Sequence, residues 1–586
     1  MTKTIIRRPS NETSLYGDSL HPVLSKIYAG RKVSSTNELE LSLARLIPTE
    51  RLKGIDVAVD VLVEGLKNQK CFLIVGDFDA DGATSSALSV RALRMLGAQH
   101  VDYLVPNRFE YGYGLTPEIV EVASELKPDI LITVDNGISS IEGVRAARAH
   151  GMQVVVTDHH LPGAELPDAD AIVNPNQSGD DFPSKNLAGV GVIFYVMLAL
   201  RARLRTESWF EKQEISEPNL AILLDLVALG TVADVVPLDY NNRILVDQGL
   251  RRIRAGKCCP GISALLEIGK RQQGRVVASD LGFSVGPRLN AAGRLDDMSL
   301  GIECLLTDDP QQAHEFAGQL NTLNSNRREI EDQMREQAMA DLNRLHLDAS
   351  TMPYGLCIFD DTWHQGVIGI LAARIKEQFH RPVIAFALTG DGDIKGSARS
   401  IPGFHIRDAL DAVAARHPEL IQKFGGHAMA AGLSLAQENL EAFQQAFDEE
   451  VRRHLAEDDL RGVIHSDGML DEQDLGLDLA EQLREAGPWG QGFPEPVFDG
   501  EFEVISQRIV GEKHLKMMVR PLGGSVTLDA IAFNVAGSAA EQFGEGELDE
   551  VSLAYRLDVN EFRGIRSAQL MVEHINVLES EACDVV

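Results

Sequence analysis

Cys71-Phe-Leu-Ile-Val75-Gly76-Asp77-Phe78-Asp79-Ala80-Asp81-Gly82 sets a short apolar run directly against three acids at alternate positions and a glycine. The run has the length and composition of a buried strand. Alternate residues beyond its end point carboxylates the same way, and Gly82 permits a tight turn. Downstream, the pattern predicts a helix over 84–96, a strand over 101–105, a helix over 117–126, a strand over 129–134, a helix over 140–150 and a strand over 153–156. Strands alternating with crossover helices predict an α/β fold built on a doubly wound parallel sheet. Such sheets carry their sites at the C-terminal ends of the strands.

Three further segments fit that rule. Val134-Asp135-Asn136-Gly137 follows one predicted strand and Thr157-Asp158-His159-His160 another, while Gly230-Thr231-Val232-Ala233-Asp234 follows the apolar run 221–229. Each has a plain structural reading when taken alone: a capped or calcium-type loop, an Asx turn, a surface histidine pair, a helix cap. Three of the four follow strands of one parallel sheet, so they converge on one rim. Oxygen-rich ligands with few imidazoles and no thiolate favour Mg²⁺ or Mn²⁺ over zinc. Five or more ligands exceed the needs of one ion. Two ions about 3.5–4 Å apart and bridged by a carboxylate fit better, an arrangement suited to in-line attack on phosphorus.

Outward from this core, 586 residues correspond to roughly four domains at about 150 residues each. Residues 1–50 read as a polar N-terminal extension, 51–310 as the catalytic α/β domain, and 311–349 as one long connecting helix. A second α/β domain follows over 350–455, with glycine-rich turns at 386–403 and 425–432. Residues 456–586 read as a C-terminal region ending in a small β-barrel of OB-like type. The run Leu187–Leu200 is too short to cross a bilayer and reads as a buried helix. Six scattered cysteines without paired spacing predict neither disulfides nor zinc, and the expected compartment is cytoplasmic, with no membrane association.

The composition, 44% apolar with 24% charged residues, excludes a wholly disordered or collagen-like chain. The net charge of −32 argues at face value against a polyanionic partner. Its distribution reverses that reading. Residues 241–300 hold 10 Lys and Arg against 5 Asp and Glu, whereas 451–586 hold 11 against 27. A polyanion can be steered into a local basic channel while the rest of the surface repels it.

DFDADG (77–82), VDNG (134–137), TDHH (157–160) and ALGTVADVVPL (228–238), in this order, resemble the four motifs of the DHH phosphoesterase superfamily. GPRLNAAGRL (286–295), WHQGVIGILAAR (363–374), GSARS (396–400) and GGHAMAAG (425–432) extend the similarity over nearly the whole chain. Within the superfamily the chain most resembles the RecJ-type single-strand-specific 5′→3′ exonucleases of bacteria. The resemblance implies a DHH catalytic domain, a DHH-associated substrate-binding domain and an OB-like end. It implies one metal on Asp79 and Asp135 and another on Asp81, Asp135, His159 and Asp234, with Asp135 bridging and His160 contacting the reacting phosphate. The family often has a histidine where this chain has Val75, and Asp77 is the expected compensating ligand. Arg108, Ser397, Arg399, Gly425, Gly426 and His427 are implied as a pocket for a 5′-phosphate, and Arg288 and Asn290 as further substrate contacts. Phe283 and Phe404 are candidate base-stacking aromatics, and Lys516 and Arg520 candidate contacts to the strand's backbone.

The expected substrate is single-stranded DNA with a 5′ end, and the expected role lies in DNA repair and recombination. The resemblance also implies single-strand-binding protein and a RecQ-type helicase as cooperating partners of a monomer. Two other classes compete: a DHH phosphoesterase for small substrates such as cyclic dinucleotides, and a non-enzymatic replication scaffold. The additional N-terminal segment and OB-like end oppose the first. The full set Asp79, Asp81, Asp135, His159, His160 and Asp234 opposes the second.

Overall fold

The computed structural model describes residues 3–9, 20–106, 114–344, 352–389, 392–511, 514–533, 535 and 548–578. Strand β1 (Thr4–Arg7) comes first. After the helices Pro22–Gly30 and Ile55–Lys67 come β2 (Phe72–Val75), β3 (Val101–Leu104), β4 (Ile130–Val134), β5 (Gln153–Thr157) and β6 (Ala171–Val173). These last five strands form a wholly parallel sheet in the order β3-β2-β4-β5-β6. Every residue of β2 and β4 is buried. Helices covering both faces of a parallel sheet impose that, and it is why these strands read as continuous apolar runs rather than alternations. The chain reverses its direction of winding between β2 and β4, which opens a crevice at their C-terminal ends.

The apolar run near residue 190 is an internal helix, Gly189–Thr206, and the run near 225 is another, Leu224–Ala233. A single helix, Pro310–Arg344, links the catalytic core to the second α/β unit. Its first turns bury Ala313, Ala317 and Leu320 in the catalytic core, and its last turns bury Met334, Ala338 and Leu342 against the second α/β unit. That unit contains β7 (Leu356–Phe359), β8 (Val383–Leu388), β9 (Asp393–Arg399), β10 (Lys423–Gly426) and β11 (Ala430–Ala436), in the order β10-β11-β9-β8-β7. Ser397, Arg399, Gly425 and Gly426 therefore lie on strands, not in the expected turns. Ile394, Gly396 and Ala398 alternate inward along β9. A Cβ at Gly396 would stand 2.5 Å from the Phe386 ring, so this glycine marks close sheet packing rather than a reversal of the chain.

Beyond β12 (Val463–Ser466), strands β13 (Phe498–Val510), β14 (His514–Pro521), β15 (Leu528–Ala532), β16 (Glu550–Phe562) and β17 (Ile565–Val577) close a five-stranded barrel in the order β13-β14-β15-β17-β16. The described part of the N-terminal extension is built into the fold. β1 pairs in parallel with β12, Arg7 Nη2 donates to Asp499 Oδ2 at 2.6 Å, and Leu24, Ile27 and Tyr28 join the main core. Among the described residues, no helix is long and apolar enough to cross a membrane.

Candidate metal centre and substrate cleft

The loop after β2 turns directly into helix Ala80–Met95. Asp79 caps that helix, its Oδ1 accepting from the N–H groups of Asp81 at 2.9 Å and Gly82 at 3.0 Å. Gly82 packs so closely that a Cβ there would lie 2.3 Å from the Asp77 carbonyl oxygen. Asp81 is buried and accepts from the N–H groups of Gly189 at 2.6 Å and Val190 at 2.9 Å, at the start of the internal helix. Burial first, then the Asp79 charge, raises the Asp81 pKa to about 7. Asp135, at the end of β4, takes φ +62°. A Cβ at Gly189 would meet its Oδ1 at 2.8 Å, so a glycine is required opposite this acid.

After β5, Asp158 organises the histidine pair. Its Oδ1 accepts from the N–H of His159 at 2.7 Å and pairs with His160 Nδ1 at 2.7 Å, while its Oδ2 accepts from Ile138 N–H at 2.9 Å. Burial alone would lower the His160 pKa, but the hydrogen bond and charge of Asp158, with Asp77 and Asp79 nearby, raise it to about 9. His159 has the opposite fate: burial, then the neighbouring His160, holds it at about 3. Its Nε2 lies 3.1 Å from Asp135 Oδ1 and 3.5 Å from Asp234 Oδ2. A neutral ring forms no ion pair there. Asp234 ends helix Leu224–Ala233, and burial followed by the charges of Asp81, Asp79 and Asp77 raises its pKa, as burial and the neighbouring acids raise that of Asp135.

The donor atoms fall into three overlapping groups, each within 4.8 Å: Asp77, Asp79 and Asp135; Asp81, His159 and Asp234; and Asp135, His159 and His160. Among the described residues, His159 Nε2 and Asp234 Oδ2 are buried and make no hydrogen bond. A neutral imidazole crowded among acids whose pKa values burial raises is a ligand set that a hard divalent cation would satisfy. The residues present therefore fit Mg²⁺ or Mn²⁺.

The second α/β unit faces this cluster. The His427 ring stacks on His160 with centroids 6.0 Å apart, and Arg294 Nη1 donates to the Gly366 carbonyl at 3.1 Å. Arg399 leans on its own strand, donating to Ser397 Oγ at 3.2 Å and Ala398 O at 2.8 Å. Burial lowers its pKa. A Cβ at Gly369, in the first turn of helix Ile368–Phe379, would stand 2.8 Å from Arg399 Nη2 and 2.9 Å from Ser397 Oγ. A helix N-terminus, an arginine and a hydroxyl thus meet at one point, a ready anion site.

Other sequence candidates are placed differently. Arg108 lies outside the described residues. Asn290 accepts from Ala80 N–H at 2.7 Å through its side-chain oxygen, so it holds the acidic loop in place. Arg288 is buried and turned inward, donating to Ser284 O at 2.5 Å and Asn321 Oδ1 at 3.1 Å. Phe283 stands 78% exposed on a π-helical turn, Leu281–Val285, as a stacking platform requires, whereas Phe404 is a core residue. Lys516 and Arg520 pair with Asp529 and Glu503. Sequence reasoning gave no role to Asp158, although its place between a strand end and two histidines was the available signal.

Comparison with known proteins agrees with this geometry. Residues 71–231 match the model of the DHH family, N-terminal domain; residues 351–453 match the DHHA1 domain; and residues 466–574 match the RecJ OB domain. The chain is 58% identical over 569 residues to the single-stranded-DNA-specific exonuclease RecJ of Dickeya dadantii, covering 97% of this chain and 98% of that one. It is 55% identical to the Escherichia coli K12 protein of the same name, with the same coverage. The crystal structure of Thermus thermophilus RecJ in complex with Mn²⁺ superposes with a TM-score of 0.79 at 29% identity, over 98% of this chain and 80% of that one. An acidic cluster at the switch point of a parallel sheet, an arginine and a hydroxyl gathered at a facing helix start, and similarity along almost the whole chain lead to one conclusion: the chain belongs to the RecJ family of single-stranded-DNA-specific exonucleases, within the DHH phosphoesterases.

Proposed function

We propose that the protein shortens single-stranded DNA from its 5′ end, releasing nucleotides by two-metal hydrolysis of phosphodiester bonds, in DNA repair and recombination. The observation that carries this reading is the cleft in which His160 faces His427, with clustered carboxylates on one wall and an arginine–hydroxyl–helix-terminus site on the other. Asp77, Asp79 and Asp135 would hold one ion, and Asp81, Asp135, His159 and Asp234 the other. When bound, Mg²⁺ or Mn²⁺ supplies Lewis acidity, making water a better nucleophile and offsetting the charge that builds on the phosphate.

The chain's own groups do the positioning. Arg399, Ser397 and the N–H groups at the start of helix Ile368–Phe379 grip the terminal phosphate, with Gly425, Gly426 and His427 closing that pocket. The scissile bond is thereby set against the acids, which limits cleavage to the 5′ end. Asp158 holds His160 protonated and oriented, so the imidazolium binds a non-bridging phosphate oxygen. Phe283 stacks a base of the trailing strand.

Cytoplasmic location and cooperation with single-strand-binding protein and a RecQ-type helicase fit such a substrate. The test is a single strand labelled at its 5′ end, incubated with Mg²⁺ or Mn²⁺ beside duplex and 3′-labelled controls. Early release of labelled mononucleotide only from the 5′-labelled single strand is expected. Release first from the 3′ end, or none, would overturn the reading.

A further inference from the structure

Arg243 lies in the first turn of helix Tyr240–Arg254, beyond the metal ligand candidate Asp234. Only 4% of its surface is exposed. Its guanidinium stands 4.3 Å over the Phe493 ring and 5.6 Å from the Tyr240 ring. Aromatic faces attract the charge but give the five N–H groups no hydrogen-bond acceptor of ordinary strength. Among the described residues the Arg243 side chain makes no hydrogen bond and no ion pair, and its Nε is fully buried without an acceptor.

This arginine lines a cavity of about 210 Å³ together with Arg31, Glu38, Asp239, Tyr240 and Phe493. The other charged groups are already engaged. Arg31 donates to Asp467, to Pro494 O and to Ile27 O. Asp239 accepts from Asn242 N–H, Ser184 Oγ and Asn186 Nδ2. Glu38 accepts from the N–H and hydroxyl of Ser34. Burying a charged donor fork with no acceptor is costly, and an anion in the cavity removes that cost.

We infer that the cavity over Arg243 is an oxyanion site, in which a phosphate or carboxylate group takes a two-oxygen grip from the guanidinium between the Tyr240 and Phe493 rings. Its volume lies below the roughly 300–1,000 Å³ typical of pockets for drug-sized ligands, so it suits an anionic group rather than a whole nucleotide. None of its lining residues belongs to the metal cluster or to the cleft facing it. Its walls come from the N-terminal segment, from the stretch following Asp234 and from the Gly492–Phe493 turn that leads toward the barrel. A bound anion ties these three together.

Trp489 stacks on Phe493 with centroids 5.2 Å apart, so its emission senses the cavity. Full-length protein in chelator is titrated with inorganic phosphate and, separately, with acetate at constant ionic strength. A saturable change in emission is expected, lost in Trp489→Phe. Glu38→Gln removes a negative charge from the lining and tightens half-saturation about two- to fivefold. Arg243→Lys weakens it about tenfold or more. Saturation by phosphate alone identifies a phosphate ligand, and by acetate alone a carboxylate. A non-saturating response to both anions, or a half-saturation that Glu38→Gln leaves unmoved, overturns the site even where Arg243→Lys does not fold.

Discussion

At Asp135 the backbone adopts φ +62°, a left-handed conformation that costs most L-residues about 1–2 kcal/mol and that Asp and Asn tolerate best. Asp135→Asn therefore removes the charge while keeping the backbone preference, which Asp135→Ala does not. We expect Asp135→Asn to lower turnover about 10³-fold or more. The same change raises the melting temperature of the metal-free protein, because burial and the charges of Asp81, Asp79, Asp234 and Asp77 disfavour the carboxylate. Turnover near wild type would refute the bridging role. At Asp158, Asn leaves a side chain of the same shape but no charge to hold His160 protonated. Steady-state kinetics should show kcat reduced about 10- to 100-fold with melting unchanged within a few degrees. Asp81 sets a pH dependence. Its folded pKa of about 7 lies above the roughly 3.9 of an unfolded Asp, so its contribution to stability is present below about pH 4 and lost as pH rises through 7. His160, raised to about 9, shifts stability in the same direction, its contribution being present below about pH 6.5 and lost through 9. Protein stripped of metal should melt at a lower temperature at pH 8 than at pH 6, and Mn²⁺ should recover most of that difference. Equal melting at both pH values would exclude this electrostatic account.

Among the elements, helix Ile368–Phe379 and strand β9 meet where Gly369 leaves room for Arg399 and Ser397. Gly369→Ala displaces the arginine without touching an acid. It should raise KM for a 5′-phosphorylated strand about tenfold while changing kcat less, and have little effect on a strand with a 5′-hydroxyl. Equal effects on both substrates would separate Arg399 from the terminal phosphate. How much of this was legible in sequence varies with the range of the interaction that shapes each element. β2, β4 and β5 are buried on both faces and announce themselves as apolar runs ended by acids, so the parallel sheet and its reactive rim could be read locally. β9 and β10 resemble turns in sequence because their glycines, which allow tight packing between strands, look like chain reversals without the partner strand. β1 is four residues long, mostly exposed, and pairs with a strand more than 450 positions away. No local pattern encodes such a contact. The inward turn of Arg288 onto Asn321 is invisible for the same reason: its partner sits on the long helix, not on its own segment.

At the scale of the whole molecule, the helix Pro310–Arg344 is anchored in both α/β cores by one buried stripe, so the acid cluster and the Arg399–Ser397 site that faces it are carried on units joined by a continuous helix. The barrel meets the catalytic domain through Arg275–Glu561, and helix Leu477–Glu485 bridges the two, pairing with the barrel through Arg566–Glu481 and Arg484–Asp558 while Arg484 Nη2 donates to the Arg275 carbonyl. Part of the basic stretch 241–300 therefore meets acids of the C-terminal region, with Arg254, Lys270, Arg271 and Arg275 lining one pocket with Glu481, Glu485 and Glu561, while Asn290 and Arg294 of the same stretch lie at the cleft. The barrel's own cations are weak candidates for following a strand, since Lys516 and Arg520 are neutralised by Asp529 and Glu503. Counterion release makes this measurable, because each phosphate neutralised on a single strand adds about 0.7 to the slope of log affinity against log salt. Arg399→Ala should reduce that slope by about 0.7 for a 5′-phosphorylated oligonucleotide. Lys516→Ala combined with Arg520→Ala should change it by less than about 0.7, with affinity within about twofold of wild type at 0.1 M salt. A double variant that lost more of the slope than Arg399→Ala would move the main electrostatic contact from the cleft to the barrel, and the acidic end of the chain would then have to be read as a DNA-binding surface in spite of its charge.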